Sequence, residues 1–156
     1  MTLDRIDHVL LKALQKNARL SNKELAAHAG IAPSTCHERL RRLDERGVIR
    51  GFHARLDPKA LGVGIQAMVA VRLRSQSRDL LMSFRDTLRR LEEVVAVFYM
   101  AGSNDFLVHI AVRDSEHLRE VALTHFATRP EIGHMETALI FEHAGSGHLP
   151  IYSTEE

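Results

Sequence analysis

The hydrophobic period of this chain changes once, around Asp57-Pro58, and that change limits most of what it can fold into. Upstream, Ile6, Leu10 and Leu14 recur every four residues with Ala13 beside them, which predicts one buried stripe on a helix over 4–16. Downstream, Ile65, Ala67, Val69, Val71 and Leu73 alternate with Gln66, Met68, Ala70 and Arg72, the period of a strand with two different faces. Two modules follow: a helical one over 1–57 that includes a linker strand, and an α+β one over 64–144. The tail, 145–156, opens with Gly145-Ser146-Gly147 and reads as flexible.

Punctuation divides the first module into three short helices. Ser21-Asn-Lys-Glu24 is a capping box, in which the Ser21 hydroxyl accepts from the Glu24 amide and the Glu24 carboxylate reaches back. Gly30 suits the left-handed residue that ends that helix. Pro33 suits the first position of the next, where its missing N–H costs nothing, and Gly47 ends it. The run Val48–Leu56 is strand-like in composition.

In the second module, Leu81, Phe84, Leu88 and Leu91 give one helix face, and Leu118, Val121, Ala122 and Phe126 another. Strands are predicted at Val94–Met100, Asp105–Val112 and Gly133–His143, the first two joined by the turn Ala101-Gly102-Ser103-Asn104. The order β-α-β-β-α-β is the ferredoxin-like arrangement. Its two helices cover one face of the sheet. Phe106, Val108 and Ile110 point to one side and Leu107 and Ala111 to the other, so the second face is apolar too and self-association is the expected cover.

Charge separates the modules as well. Residues 1–55 carry 11 Lys/Arg against 6 Asp/Glu, and residues 56–156 carry 10 against 14, although the whole chain is only +1. A basic first module points to nucleic acid. The longest uncharged apolar run, Val94–Ala101, is too short to cross a bilayer. The acidic start MTLDRID lacks the basic and apolar regions of a signal peptide, and a single cysteine fits a reducing compartment. A cytoplasmic protein without membrane contact is expected. The ten histidines show no convergent ligand spacing, so no metal, cofactor or catalytic site is expected.

The third helix carries the chemistry. With Cys36 pointing inward, Leu40 and Leu43 share its side at 100° per residue. Ser34, Glu38 and Arg41 then fall nearly opposite, with Thr35 and Arg42 on one shoulder and His37 on the other. This face begins with small hydroxyls at the helix N-terminus, where free amides and the positive helix end favour phosphate, and arginine bonds guanine with two donors. Glu38–Arg42 and Arg41–Glu45 are spaced i, i+4 and by themselves could merely lace a solvated surface. The preceding helix and the short turn Gly30-Ile31-Ala32 favour a helix-turn-helix instead, with double-stranded DNA as partner. The expected DNA-facing set is Ser34, Thr35, His37, Glu38, Arg39, Arg41, Arg42 and Arg50.

Across nearly its full length the chain resembles the Lrp/AsnC (feast/famine) family of transcriptional regulators. The resemblance rests on ordered elements: L-D-x-x-D at Leu3–Asp7, L-Q-x-N-A-R-L-S at Leu14–Ser21, E-L-A at Glu24–Ala26, and P-S-T with R-L-x-R-L at Pro33–Leu43. G-V-I-R-G-F at Gly47–Phe52, L-G at Leu61–Gly62, G-x-x-D at Gly102–Asp105 and E-T at Glu136–Thr137 complete it. It implies a (winged) helix-turn-helix DNA-binding domain followed by a ferredoxin-like effector-binding and oligomerisation domain, homodimers assembling into octamers, and a small-molecule effector, commonly an amino acid. By composition alone Gly102–Asp105 is turn chemistry. The resemblance implies effector contacts from Met100, Gly102, Ser103, Asn104, Asp105 and Thr137. Two departures stand out: Ala32 replaces the family's serine before the proline, and Glu38 stands where a basic or neutral residue is usual. Siroheme decarboxylases resemble the same scaffold, which leaves an enzyme as an alternative, and an effector module without DNA affinity is a third reading. The arginine face and the basic first module weigh against both.

Overall fold

The computed structural model describes residues 3–145 and 147–152. The chain forms two compact units, one made of residues up to Ala54 together with those from Ala144 onward, the other of Arg55–His143.

The first unit holds α1 (Arg5–Lys16), α2 (Asn22–Ala29) and α3 (Pro33–Glu45). Leu10, Leu25, Ala26 and Cys36 are buried together, with Ile6, Leu14 and Leu40 packed at the margin. A core this small leaves the helix ends to polar contacts. The capping box at Ser21/Glu24 is formed. A second opens α1: Asp4 accepts from the Asp7 amide at 2.9 Å, and Asp7 accepts from the Asp4 amide at 3.2 Å. After α3, Gly47 adopts φ +68 and the amide of Val48 returns to the Leu43 carbonyl at 2.9 Å, a glycine-terminated helix end.

Two expectations for this unit change. Val48–Leu56 is not a strand; it runs without a ladder, because a strand requires a hydrogen-bonded neighbour and none among the described residues offers one. The tail is tethered where it is described: the Gln15 side-chain amide donates to the Leu149 carbonyl at 3.2 Å, and the Leu149 amide donates to the Gln15 side-chain oxygen at 2.6 Å. The Leu149 side chain itself stays exposed. Ser146 and residues 153–156 of the expected tail lie outside the described residues.

The second unit is a four-stranded antiparallel sheet in the order β2-β3-β1-β4, built from β1 (Ile65–Leu73), β2 (Val94–Tyr99), β3 (Phe106–Val112) and β4 (Ile132–Leu139). Helix α4 (Arg78–Leu88) follows β1, and α5 (Ser115–Ala122) continues into a π-helical turn, Leu123–Ala127. The element order and sheet order are those of the ferredoxin-like fold. Ala67, Val69, Val71, Val108 and Ile110 are fully buried beneath Phe84, Leu88, Val121 and Phe126. The opposite face carries Met68, Ala70, Leu107 and Ala111 half-buried and Phe98 exposed. Gly64 makes the approach to β1 possible: its amide donates to the Val112 carbonyl, and a Cβ there would lie 2.2 Å from the Arg113 carbonyl oxygen.

Candidate functional site

Helix α3 is positioned by its inward side, Cys36 and Leu43, both buried. Burial raises the Cys36 thiol pKa, which leaves it a poor nucleophile. No side chain caps the helix at Ala32, and Pro33 occupies its first turn. Ser34, Thr35, His37, Glu38, Arg41, Arg42 and Arg50 are all exposed. The backbone carbonyl of Pro33 accepts from the Asn22 side-chain amide at 2.8 Å, which fixes the start of α3 against the start of α2.

The arginines of α3 are not equivalent. Arg39, one of the residues expected to face DNA, turns to α1 instead: one guanidinium nitrogen lies 2.6 Å from Asp4 and 2.9 Å from Asp7, the carboxylates of the α1 capping box. These acids raise the Arg39 pKa, and the Asp7 amide, helped by Arg39, lowers that of Asp4. Arg39 therefore pins α3 to α1. The signal that could have found this was the acidic pair of L-D-x-x-D, capping residues preceding an apolar-periodic run.

Arg41 is held on the exposed side. Its fork meets Glu38 at 2.7 and 3.1 Å, and a third nitrogen bonds Glu45. The i, i+4 pairing expected of Glu38 with Arg42 is replaced by an i, i+3 pair with Arg41, because two guanidinium nitrogens can meet both carboxylate oxygens there. The hydrogen bonds from Arg41 lower the Glu38 pKa. The Arg42 side chain makes no hydrogen bond or ion pair among the described residues, and neither Ser34 nor Thr35 spends its hydroxyl on a neighbour there.

In the second unit, Ala101–Asn104 joins β2 to β3, closed by the Met100 amide on the Asp105 carbonyl at 2.9 Å. Gly102 has φ +142, a conformation open to glycine and unfavourable for other residues, although a Cβ there would meet nothing within 4 Å. The amides of Gly102, Ser103 and Asn104 find no acceptor among the described residues. Asp105 is committed elsewhere. It is 6% exposed; one carboxylate oxygen accepts from the Leu73 amide at 2.8 Å, the other from the Gln76 side chain at 2.8 Å. Gln76 had no sequence signal as its partner. Thr137 is exposed on β4 opposite Val69, and β1 separates β4 from the strand bearing the turn, so one chain does not bring Thr137 and Gly102–Asp105 together. Among the described residues no cluster of three or more His, Cys, Asp or Glu is placed to hold a metal ion, and no helix is long and apolar enough to cross a membrane.

A basic helix-turn-helix followed by a ferredoxin-like sheet defines a class, the DNA-binding regulator with an appended small-molecule domain. Residues 3–50 match the winged helix-turn-helix DNA-binding family, and residues 66–146 match the Lrp/AsnC ligand binding domain. The chain is 46% identical over 141 residues to the HTH-type transcriptional regulator AldR of Mycolicibacterium smegmatis, covering 90% of this chain and 82% of that protein. It is 30% identical over 152 residues to the leucine-responsive regulatory protein of Escherichia coli, covering 97% and 93%. Among solved structures, a Neisseria meningitidis transcriptional regulator in complex with L-methionine superposes with a TM-score of 0.84 at 29% identity, over 96% of this chain and 97% of that one. Escherichia coli AsnC superposes with a TM-score of 0.80 at 28% identity, over 99% of each chain. This chain belongs to the Lrp/AsnC family of DNA-binding transcriptional regulators.

Proposed function

We propose that the protein is a sequence-specific regulator whose DNA affinity or assembly state responds to a small molecule, an amino acid being the class to test first. The observation that carries the DNA half is the start of α3: exposed Ser34 and Thr35 hydroxyls and an Arg42 guanidinium with no ion pair among the described residues, on a helix fixed from behind by Arg39. Arg42 contacts DNA directly, Ser34, Thr35 and His37 flank it, and Arg50 reaches phosphate beyond the helix. The protein acts by binding, in the cytoplasm, and not as an enzyme.

The effector half rests on the ligand-binding family of the second unit and on the methionine held by the Neisseria regulator. The amides of Gly102–Asn104, unpaired among the described residues, suit a ligand carboxylate, with Met100 beside them. Asp105 acts by holding the turn to Leu73 and Gln76 rather than by touching the ligand. Thr137 joins the pocket from another subunit. The apolar sheet face bearing Met68, Leu107 and Phe98 pairs two chains, and such dimers assemble further, octamers being the expected form. Effector then shifts DNA affinity through its preference for one assembly state.

Salt-titrated binding tests the first half. Arg42→Ala weakens binding and flattens the slope of log affinity against log salt by about one unit for each phosphate no longer neutralised; unchanged affinity and slope would put the wrong face on DNA. A thermal-shift screen of the amino acids, followed by sedimentation with each hit, tests the second. A hit that stabilises the protein and alters its oligomer size supports the reading, and absence of any hit removes amino acids as the class.

A further inference from the structure

Two carboxylates guard one guanidinium on the exposed side of α3. Arg41 meets Glu38 through two nitrogens and Glu45 through a third. All three side chains are about half exposed, so nothing in the fold requires the pair to form; it occupies surface that a phosphate-binding helix would leave positive. The cluster joins two acids to one base, so the charge of Arg41 is offset where it would otherwise face a phosphate. At the floor of the major groove the same groups find matching partners, since cytosine N4 donates to a carboxylate and guanine O6 and N7 accept from an arginine fork. Residues at i and i+3 of one helix lie side by side and so address neighbouring positions along a groove.

We propose that Glu38 is a specificity-determining residue. It withholds Arg41 from phosphates and, with Arg41, reads a C·G-containing step in the major groove. This rests on the reading that α3 enters that groove. On unrelated DNA, Glu38 meets only phosphates and neighbouring acceptors, so it opposes binding. On the matching site its carboxylate accepts from cytosine N4 while Arg41 turns to guanine. Arg42, whose guanidinium is hydrogen-bonded to neither acid, supplies the sequence-independent contact. Exposed ion pairs hold weakly, so the guard opens readily once a better acceptor is presented.

The test is selection from a pool of randomised duplexes with the full-length protein and its Glu38→Gln, Glu38→Ala and Glu45→Gln variants, alongside salt-titrated binding to one unrelated duplex. Glutamine pairs with adenine where glutamate accepts from cytosine, so Glu38→Gln is expected to move one motif position from cytosine towards adenine. Glu38→Ala is expected to lose preference there by roughly tenfold. Both should bind the unrelated duplex several-fold more tightly, with a salt slope steeper by about 0.9 as Arg41 gains a phosphate. Glu45→Gln should raise non-specific affinity and keep the motif. A wild-type motif retained by both Glu38 variants overturns the assignment. So does an unchanged salt slope. A wild-type protein that selects no motif at all overturns the groove reading along with it.

Discussion

The two units reach stability by different means. The sheet unit buries thirteen residues in one cluster, and its only buried charged group among the described residues is Asp105. The helical unit buries five in its cluster and relies on capping boxes at Asp4/Asp7 and Ser21/Glu24 and on the Arg39 staple. Apolar burial contributes roughly 25 cal/mol per Å² and responds little to pH, whereas caps and ion pairs weaken with salt and acid. The DNA-binding unit should therefore be the electrostatically sensitive one, and the sheet unit the one that fails through packing.

The sharpest way to break this contrast is Gly64→Ala. The added Cβ would sit 2.2 Å from the Arg113 carbonyl oxygen, a backbone atom that cannot step aside. A loss of about 3 kcal/mol or more is expected, of the size seen for severe overpacking. Hydrogen exchange read peptide by peptide should show it across β1 and β3 first, with α1 and α2 spared. Equal loss in both units would mean they do not unfold separately.

Asp105→Ala comes next. It strands the Leu73 amide and the Gln76 side chain, a cost of about 1–3 kcal/mol for buried partners left unsatisfied. Chemical denaturation should show the loss without any ligand present. A variant of native stability that no longer responds to effector would return Asp105 to the ligand contacts.

Ala32→Ser supplies the hydroxyl that α3 lacks and should stabilise the helical unit by about 1 kcal/mol. Exchange of the α3 amides should slow, while the sheet unit is unaltered. No change in that exchange would mean the free amides of the first turn already find partners.

Arg39→Ala should have the smallest effect, about 1 kcal/mol or less after allowance for solvent, since Arg39 is a quarter exposed and Asp4 about half. Salt should shrink the difference. Acid should too: the folded Asp4 pKa lies below the ordinary aspartate value of 3.8, so its contribution is complete above that value and is lost as pH falls through the folded pKa. A difference between wild type and variant that persists in strong acid, with both carboxylates protonated, would show that Arg39 acts by packing its methylenes instead.

Much of this architecture is local and so was readable. Alternation in Ile65–Leu73, the helical spacing of Leu81, Phe84 and Leu88, and glycine at positions 30 and 47 each specify a conformation within a few residues. The outward direction of Ser34, Glu38, Arg41 and Arg42 follows from helix geometry with Cys36 inward. Partners are another matter. Periodicity places a side chain on a face and says nothing of which distant group it meets. Arg39 met Asp4 across 35 residues, and Asp105 met Gln76 across 29. Both belonged to sets of like-looking residues, and only the packing of α1 on α3, or of β3 on β1, divided the structural member from the exposed ones. Val48–Leu56 shows the same limit in reverse: its composition is that of a strand, but a ladder needs a neighbour, and local sequence cannot provide one.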